Sequence, residues 1–455
     1  MVQPVPHAPQ KLPLVGHMAA LMTGAPWDVM EGWLRQRGPT VRFEIPGAWY
    51  LATKDPEFIR HIFVGAADSY VKDMRSMGAF LDLLGHGLLT SDGELWKRQR
   101  ATLARAFRID ALRSVADVSI RAAERFGQVL EAHARTGEPV DIAAHFRRLT
   151  LQVIAEATLQ MPPHESDEVL PRLYEPLVEE ANKRVWMPLR GWLPIPAKLR
   201  YDRSLAQLDE FLVSKVRGRL RRRRADPEAR PVDMLDMLLA SLDDGGWDPD
   251  RERLVCDELK TMLFAGHDTS SAMLTWTLHA LTQHPRELER LRAAAAEVFV
   301  GEGVPDYEQL KRLDFAGACL KEALRLYNIV PIVTRQAIVD DRFEAIEIPK
   351  GARIMVHMQA LHKDPQQWPD PDSFRPDRFL GDASTGYRWL PFITGPRSCV
   401  GQHFSLLEAK IVLSKLALAF DFAPDPNNSD ARHRFNVPVG PRGQIRVHVR
   451  PRARA

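Results

Sequence analysis

One short segment, Phe392-Ile-Thr-Gly395-Pro-Arg397-Ser-Cys399-Val-Gly401, gathers residue types that chemistry needs. A single cysteine stands between two glycines, with a phenylalanine and an arginine upstream and a long apolar helical pattern behind it. A lone cysteine kept as a reactive thiolate requires electropositive, partly desolvated surroundings. The start of a helix offers these through its unpaired backbone N–H groups and the positive end of its dipole. Gly395 is expected to take a backbone conformation closed to residues with a Cβ, and Gly401 to let a flat ligand approach the new helix. Phe392 and Arg397 suit a cofactor with an apolar face and an anionic rim. Haem has both, and cysteine thiolate is one of its axial ligands. The plainer reading of an isolated cysteine is a small core residue. The Phe-x-x-Gly-x-Arg-x-Cys-x-Gly setting weighs against that for Cys399, whereas Cys256 and Cys319 sit in apolar helical runs and are read as core. The three cysteines share no CxxC spacing, and their odd number argues for a reducing compartment over a disulfide scaffold.

A second segment, Phe264-Ala265-Gly266-His267-Asp268-Thr269-Ser270, lies in the middle of a helix expected from Pro249 to His284, where Pro285 ends it. At the α-helical rise its ~36 residues span roughly 50 Å, so it must cross the interior. A glycine, an acid and a hydroxyl are costly inside a buried helix. One reading is a kink whose polar groups are satisfied locally, with the threonine bonded back to the preceding turn. The other is that Gly266 opens the helix beside a ligand where Asp268 and Thr269 handle protons. The residues alone leave the two level.

The elements that must position these segments are mainly helical. Residues 40–65 look β-like, with Val41-Arg-Phe43-Glu-Ile45 alternating and a turn at Pro46-Gly47. Helical periodicity dominates from about 94 to 335 and again over 400–420. Extended pieces return within 340–360 and 430–450, at Arg342–Ile348, Arg353–His357 and Gln444–Val449. Between 362 and 398 lies a proline-dense stretch without periodicity, the kind of long irregular segment that is usually functional. The expected fold is mainly α with a smaller β-rich lobe, built as a single domain over 1–455. With 455 residues and 45% hydrophobic content the chain can bury a large core. A net charge of +3 gives no case for nucleic acid. The start, MVQPVPHAPQKLPLVGHMAALM, lacks a long apolar run, so neither signal peptide nor membrane anchor is expected and a cytoplasmic location is. Arg217, Arg219 and Arg221 to Arg224, followed by Asp226-Pro227, read as a solvated helix end and loop.

With these motifs in this order, the chain resembles the cytochrome P-450 superfamily of haem-thiolate monooxygenases over essentially its full length. The resemblance implies haem b, with Cys399 as the iron ligand, held between the long central helix and the cysteine loop. Phe392, Gly395 and Gly401 belong to that loop, and Ala265-Gly266-His267-Asp268-Thr269 resembles the oxygen-activation segment, with Ala265 against the haem. Trp96-x-x-x-Arg100 resembles the helix that reaches one propionate, and two such residues one turn apart can meet the same carboxylate. Arg397 is carried over to the other propionate, with Arg335 and His362 as further candidates on the rim. Glu322-Ala-Leu-Arg325 resembles the E-x-x-R helix, and Pro376-Asp377-Arg378-Phe379 the later motif whose arginine joins that pair. Three apart, Glu322 and Arg325 share a helix face, and a buried pair would need further hydrogen bonds, for which Arg378 is the third member.

Two departures stand out. Asn328-Ile329-Val330-Pro331 occupies the place of a proline-proline turn, which bears on cavity shape, and Asp377 replaces the commoner glutamate. The motif style is similar to the branch that includes microsomal members, without their anchor, as in a soluble bacterial relative. The implied reaction hydroxylates or epoxidises an apolar small molecule (terpenoid, fatty acid or polyketide-like) with dioxygen. Met77, Phe80, Leu84, Phe264, Ala265, Val330, Pro331 and Ile332 are the expected lining. No flavin or iron–sulfur module is visible, so electrons are expected from a ferredoxin with its reductase or a flavodoxin-type donor, docking near Lys97, Arg98 and Arg105. A monomer is expected. The alternatives are a peroxide-driven peroxygenase and a non-enzymatic haem gas sensor, and the intact Asp268-Thr269 pair counts against both.

Overall fold

The computed structural model describes residues 5–452 other than 108, 194, 227–230, 242–245, 302–303, 382–384, 429–437 and 442. The side chain of Arg105 also lies outside the described residues. The chain forms two compact units. The first joins Met1–Ser76, Lys321–Cys399 and Val437–Gly440, and the second joins Met77–Leu320, Val400–Asn436 and Pro441–Ala455.

The first unit is organised by a five-stranded sheet. Strands β1 (Thr40–Ile45), β2 (Ala48–Thr53), β3 (Tyr70–Lys72), β5 (Ile332–Ala337) and β8 (Arg353–His357) lie in the order β1-β2-β8-β5-β3. The alternation read at Val41–Ile45 buries Val41 and Phe43. Pro46-Gly47 makes the hairpin turn, with Gly47 at φ +72°. The β-like run does not reach residue 65. Asp55 accepts the N–H groups of Glu57 and Phe58, Pro56 fills the first helical position, and Pro56–Arg60 is an α-helix continuing as a π-helix over His61–Gly65. The helical reading to 335 also stops short, because the helix Asp314–Leu326 gives way to Asn328, Pro331 and the β-branched Ile332-Val333-Thr334 of β5. A small hairpin pairs β6 (Asp341–Phe343) with β7 (Ile346–Ile348). Between 363 and 398 the described backbone has only three short 3₁₀ turns.

The second unit is helical. Its central helix, Pro249–Gln283, is capped by Asp248, which accepts the N–H of Arg251, and stops just before Pro285. It packs against the helices Ile142–Leu159, Pro196–Ala225 and Gln402–Ala419. A small sheet of β4 (Val140–Asp141), β10 (Arg446–Pro451) and β9 (Phe420–Pro424) lies beside them. Cys256 and Cys319 are buried. Arg219 departs from the solvated helix end: it is buried between Asp233 and Asp236, while Arg221, Arg222 and Arg224 are exposed. Among the described residues no helix is long and apolar enough to cross a membrane.

Candidate functional site

In the first unit the cysteine loop is held by its own backbone and by one glycine. The Cys399 N–H donates to the Phe392 carbonyl at 2.9 Å, and the Ser398 N–H to the Gly395 carbonyl at 3.0 Å. Gly395 has φ +75°, and a Cβ there would come within 2.0 Å of the Phe63 carbonyl oxygen. The π-helical turn at 61–65 therefore lies where no side chain fits, and the loop's path depends on that glycine. Ile393, a β-branched residue, takes φ +50°, a strained conformation of the kind that persists where the surroundings over-determine it. Cys399 itself is exposed, three residues before the Gln402–Ala419 helix for which Gly401 is the N-cap. Arg335, on β5, lies 4.9 Å over the Phe63 ring, and Arg397 is half-buried in the loop.

The segment leading to this loop is fastened by a buried charge cluster. Arg325 donates to both Glu322 oxygens at 2.8 and 2.9 Å, and the side chains are 0% exposed. Arg378 Nε reaches Glu322 at 3.3 Å, and the Arg375 backbone N–H adds a bond at 2.9 Å. The remaining Arg325 protons go to the carbonyls of His362, Pro371 and Ser373 at 2.9, 2.6 and 3.1 Å. A buried ion pair is tolerated when its surplus donors are satisfied, and here they stitch an aperiodic segment to a helix. His362 is a correction to the expected rim. It is fully buried, its ring nitrogens are engaged by Asn328 at 2.7 Å and by the Leu390 N–H at 2.8 Å, and burial with the Arg325 charge pushes its pKa down to about 3. Pro331 is buried, with Val330 and Ile332 half-buried.

In the second unit the central helix is buried over most of its length but not at its middle. Ala265 is exposed, and Gly266, Asp268 and Thr269 are partly so. The Thr269 hydroxyl donates to the Ala265 carbonyl at 2.5 Å, and the Ser271 hydroxyl to the Asp268 carbonyl at 2.9 Å. Gly266 does not open the helix, which is continuous. A Cβ there would meet Ile154 Cδ1 at 2.8 Å, so the glycine lets the Ile142–Leu159 helix come close. From that helix the Thr150 hydroxyl donates to the His267 carbonyl at 3.0 Å. His267 is buried, its Nδ1 3.6 Å from Asp268 Oδ1 and its ring edge-on to Tyr174 at 6.3 Å. Burial, and secondly Asp268, push the Tyr174 hydroxyl pKa well up.

Trp96 and Arg100 stand one turn apart and half-buried on the helix Gly93–Ala106. Phe80 and Phe264 meet at 5.2 Å between ring centroids, and Met77 is half-buried. Leu84 has no exposed surface and is core, so it lines nothing. Sequence reasoning missed Glu408. The only signal was an acid inside the apolar run of the Gln402–Ala419 helix, and burial pushes its carboxyl well above the usual range.

The sequence pattern that defines the Cytochrome P450 family matches residues 6–441. The chain belongs to the cytochrome P450 family. It is 30% identical over 405 residues to Protein LUTEIN DEFICIENT 5, chloroplastic, of Arabidopsis thaliana, covering 83% of this chain and 66% of that one. It is 31% identical over 353 residues to a Cytokinin hydroxylase of the same plant, covering 76% and 68%. With Cytochrome P450 4A2 of Rattus norvegicus it shares 27% over 390 residues, covering 82% and 76%. The chain thus spans about two thirds of the length of the first two relatives. The mainly helical architecture with a smaller sheet is that of a P450, an oxidoreductase family whose cofactor is haem b. The residues present fit that group: an exposed thiol on a loop whose path requires a glycine, and guanidinium groups at Arg335 and Arg397 in the same unit for an anionic rim.

Proposed function

We propose that this P450 is a haem-thiolate monooxygenase, which takes two electrons from a separate redox protein and inserts one atom of dioxygen into an apolar small molecule. The observation that carries the reading is the exposed Cys399 thiol on a loop that only a glycine at 395 permits. Cys399 would ligate the iron. Arg335, Arg397, Trp96 and Arg100 would hold the carboxylates. Haem, when bound, supplies the dioxygen chemistry, favoured by the thiolate's electron donation.

The chain's own residues then manage protons and water. Thr269 Oγ1 donates to Ala265 but keeps lone pairs that accept from a water, and turning the hydroxyl lets it pass a proton on. The Asp268 carboxylate, partly exposed on the same turn, takes up the next proton. The apolar residue types at Met77, Phe80, Phe264, Val330 and Ile332 suit a terpenoid or fatty acid before a polyketide-like compound. A ferredoxin with its reductase, or a flavodoxin-type donor, would dock near Lys97 and Arg98, both exposed, and added salt would weaken that docking. We infer a cytoplasmic monomer related to the branch that holds the microsomal P450s.

The back-bonded geometry of Thr269 also suits a purely structural threonine, and one experiment separates the two. In Thr269→Ala, product and hydrogen peroxide are measured together per NAD(P)H, with a donor system supplied. The relay reading expects substrate binding and reduction to persist while peroxide replaces product. An unchanged product-to-peroxide ratio with altered stability would leave Thr269 a structural residue.

A further inference from the structure

We propose that Asp257, on the central helix, is a positioning residue for haem binding: it grips the 85–91 loop and so sets the helix that carries Trp96 and Arg100. The inference rests on the reading that those two side chains hold a haem carboxylate.

The Asp257 side chain is 6% exposed and uses both oxygens. Oδ2 accepts the His86 N–H at 2.9 Å, and Oδ1 lies 3.0 Å from Lys260 Nζ, which also reaches Asp209 on the Pro196–Ala225 helix at 2.9 Å. The neighbouring Glu258 accepts the Leu88 N–H at 3.1 Å. Two successive side chains of the central helix therefore hold alternate N–H groups of one loop. Two glycines make this approach possible. Gly85, at φ +56°, would place a Cβ 2.2 Å from the Asp257 carboxylate, and Gly87 would place one 2.0 Å from the Thr261 hydroxyl. The loop backbone thus lies directly on the helix, in a register that side chains would forbid.

The other edge of the loop leads to the propionate helix. The His86 carbonyl accepts from Gln99 Nε2 at 2.5 Å, and Gln99 Oε1 accepts from the Ser91 hydroxyl at 2.5 Å. Thr90 closes the turn by donating to the Gly85 carbonyl at 2.6 Å. Gln99 is buried, three residues after Trp96 and next to Arg100. One residue, His86, therefore joins a charged acceptor on the central helix to the core of the Gly93–Ala106 helix. Bonds to an ionised acceptor are shorter and stronger than neutral ones, which suits a clamp that fixes distance.

The test is a double-mutant cycle on the haem-loaded protein, read as the rate of haem transfer to excess apomyoglobin and as the thermal midpoint. Asp257→Ala is expected to speed haem loss about tenfold, within the coupling range of residues in one network. Asp257→Asn, which keeps an acceptor for His86, is expected to recover most of that loss. Because the effect runs through Trp96 and Arg100, adding Asp257→Ala to a variant carrying both Trp96→Ala and Arg100→Ala should change little. If Asp257→Ala does not yield folded protein, Gln99→Leu cuts the same link from the other end and should also speed haem loss. Additive effects, or a lowered midpoint with normal haem retention in either variant, would overturn the proposal while leaving Arg100 as a carboxylate ligand. An Arg100→Ala variant with normal haem retention would remove that parent reading and the proposal with it.

Discussion

Glu322 in the first unit and Glu408 in the second are shut from water to the same degree, at 0% and 1% exposure. Around Glu322 stand the guanidinium groups of Arg325 and Arg378 and the backbone N–H of Arg375, so the charged form is compensated on both oxygens. Around Glu408 neither oxygen finds a hydrogen-bond partner among the described residues. The nearby Ser270 hydroxyl offsets only part of the burial that drives the carboxyl to its protonated form. Burial alone does not decide what a carboxyl does. A complete set of donors makes one a charged rivet, and burial without such a set pushes the pKa of the other up. The first region orders an aperiodic loop, and the second leaves a buried carboxyl with a raised pKa on the helix after Cys399.

The largest expected effect breaks the rivet. Glu322→Ala leaves two guanidinium groups uncompensated, one of them without any exposed surface, at a cost on the order of 3–5 kcal/mol. The outcome is protein that fails to accumulate or lacks haem, checked by soluble yield and the haem-to-protein ratio. Normal loading and stability would mean the cluster holds nothing.

A pair of glycine substitutions compares the two regions at smaller scale. Gly395→Ala sets a Cβ against the rigid Phe63 carbonyl in left-handed backbone, which alone costs on the order of 1–3 kcal/mol. Gly266→Ala meets the Ile154 side chain, Cδ1 at 2.8 Å and Cγ1 at 2.9 Å, and not backbone, so about 1 kcal/mol is expected. Denaturant midpoints rank them, and only Gly395→Ala should also disturb the Soret spectrum. Equal effects would erase the distinction between a loop defined by backbone contact and a helix defined by side-chain packing.

A further comparison is one of pH. The Glu408 pKa is raised above its usual 4.5, so the stability it contributes is full below that value and is lost as pH rises toward the folded pKa. Glu408→Gln should therefore match the parent near pH 4 and gain on it toward neutrality. His362 works in the opposite sense. Its pKa falls from 6.5 to about 3, so stability present above 6.5 drains away as acid approaches 3, and His362→Gln should flatten that acid limb. Thermal midpoints against pH for both variants check this, and parallel curves would contradict it.

What was legible in the sequence follows from what each feature needs. The cysteine loop, the E-x-x-R pair and the bounds of the central helix show in residue types at short spacing, and the caps at Asp248 and Pro285 are local signals. The helix at Pro56–Arg60 was missed although Asp55-Pro56 announces it, because Phe58, Ile59, Ile62 and Phe63 in so short a run also suit a strand. The carbonyls that complete Arg325 have no side-chain signature, so the order of 362–373 could not be read from residue types. The same holds for Gly266, whose reason is Ile154 of another helix, and for Asp257 and Glu408, whose acids were visible but whose partners were not. His362 and Leu84 were misplaced because burial, and not type, decides whether a side chain reaches a ligand.

The central claim is that Cys399 is the axial thiolate, and the Soret band of the reduced carbon monoxide complex tests it most directly, since ligand identity dominates haem electronic properties. The account predicts a thiolate-type band in the parent protein and its loss in Cys399→His, even where haem stays bound. A histidine-type band in the parent, or an unchanged thiolate band in Cys399→His, would contradict it.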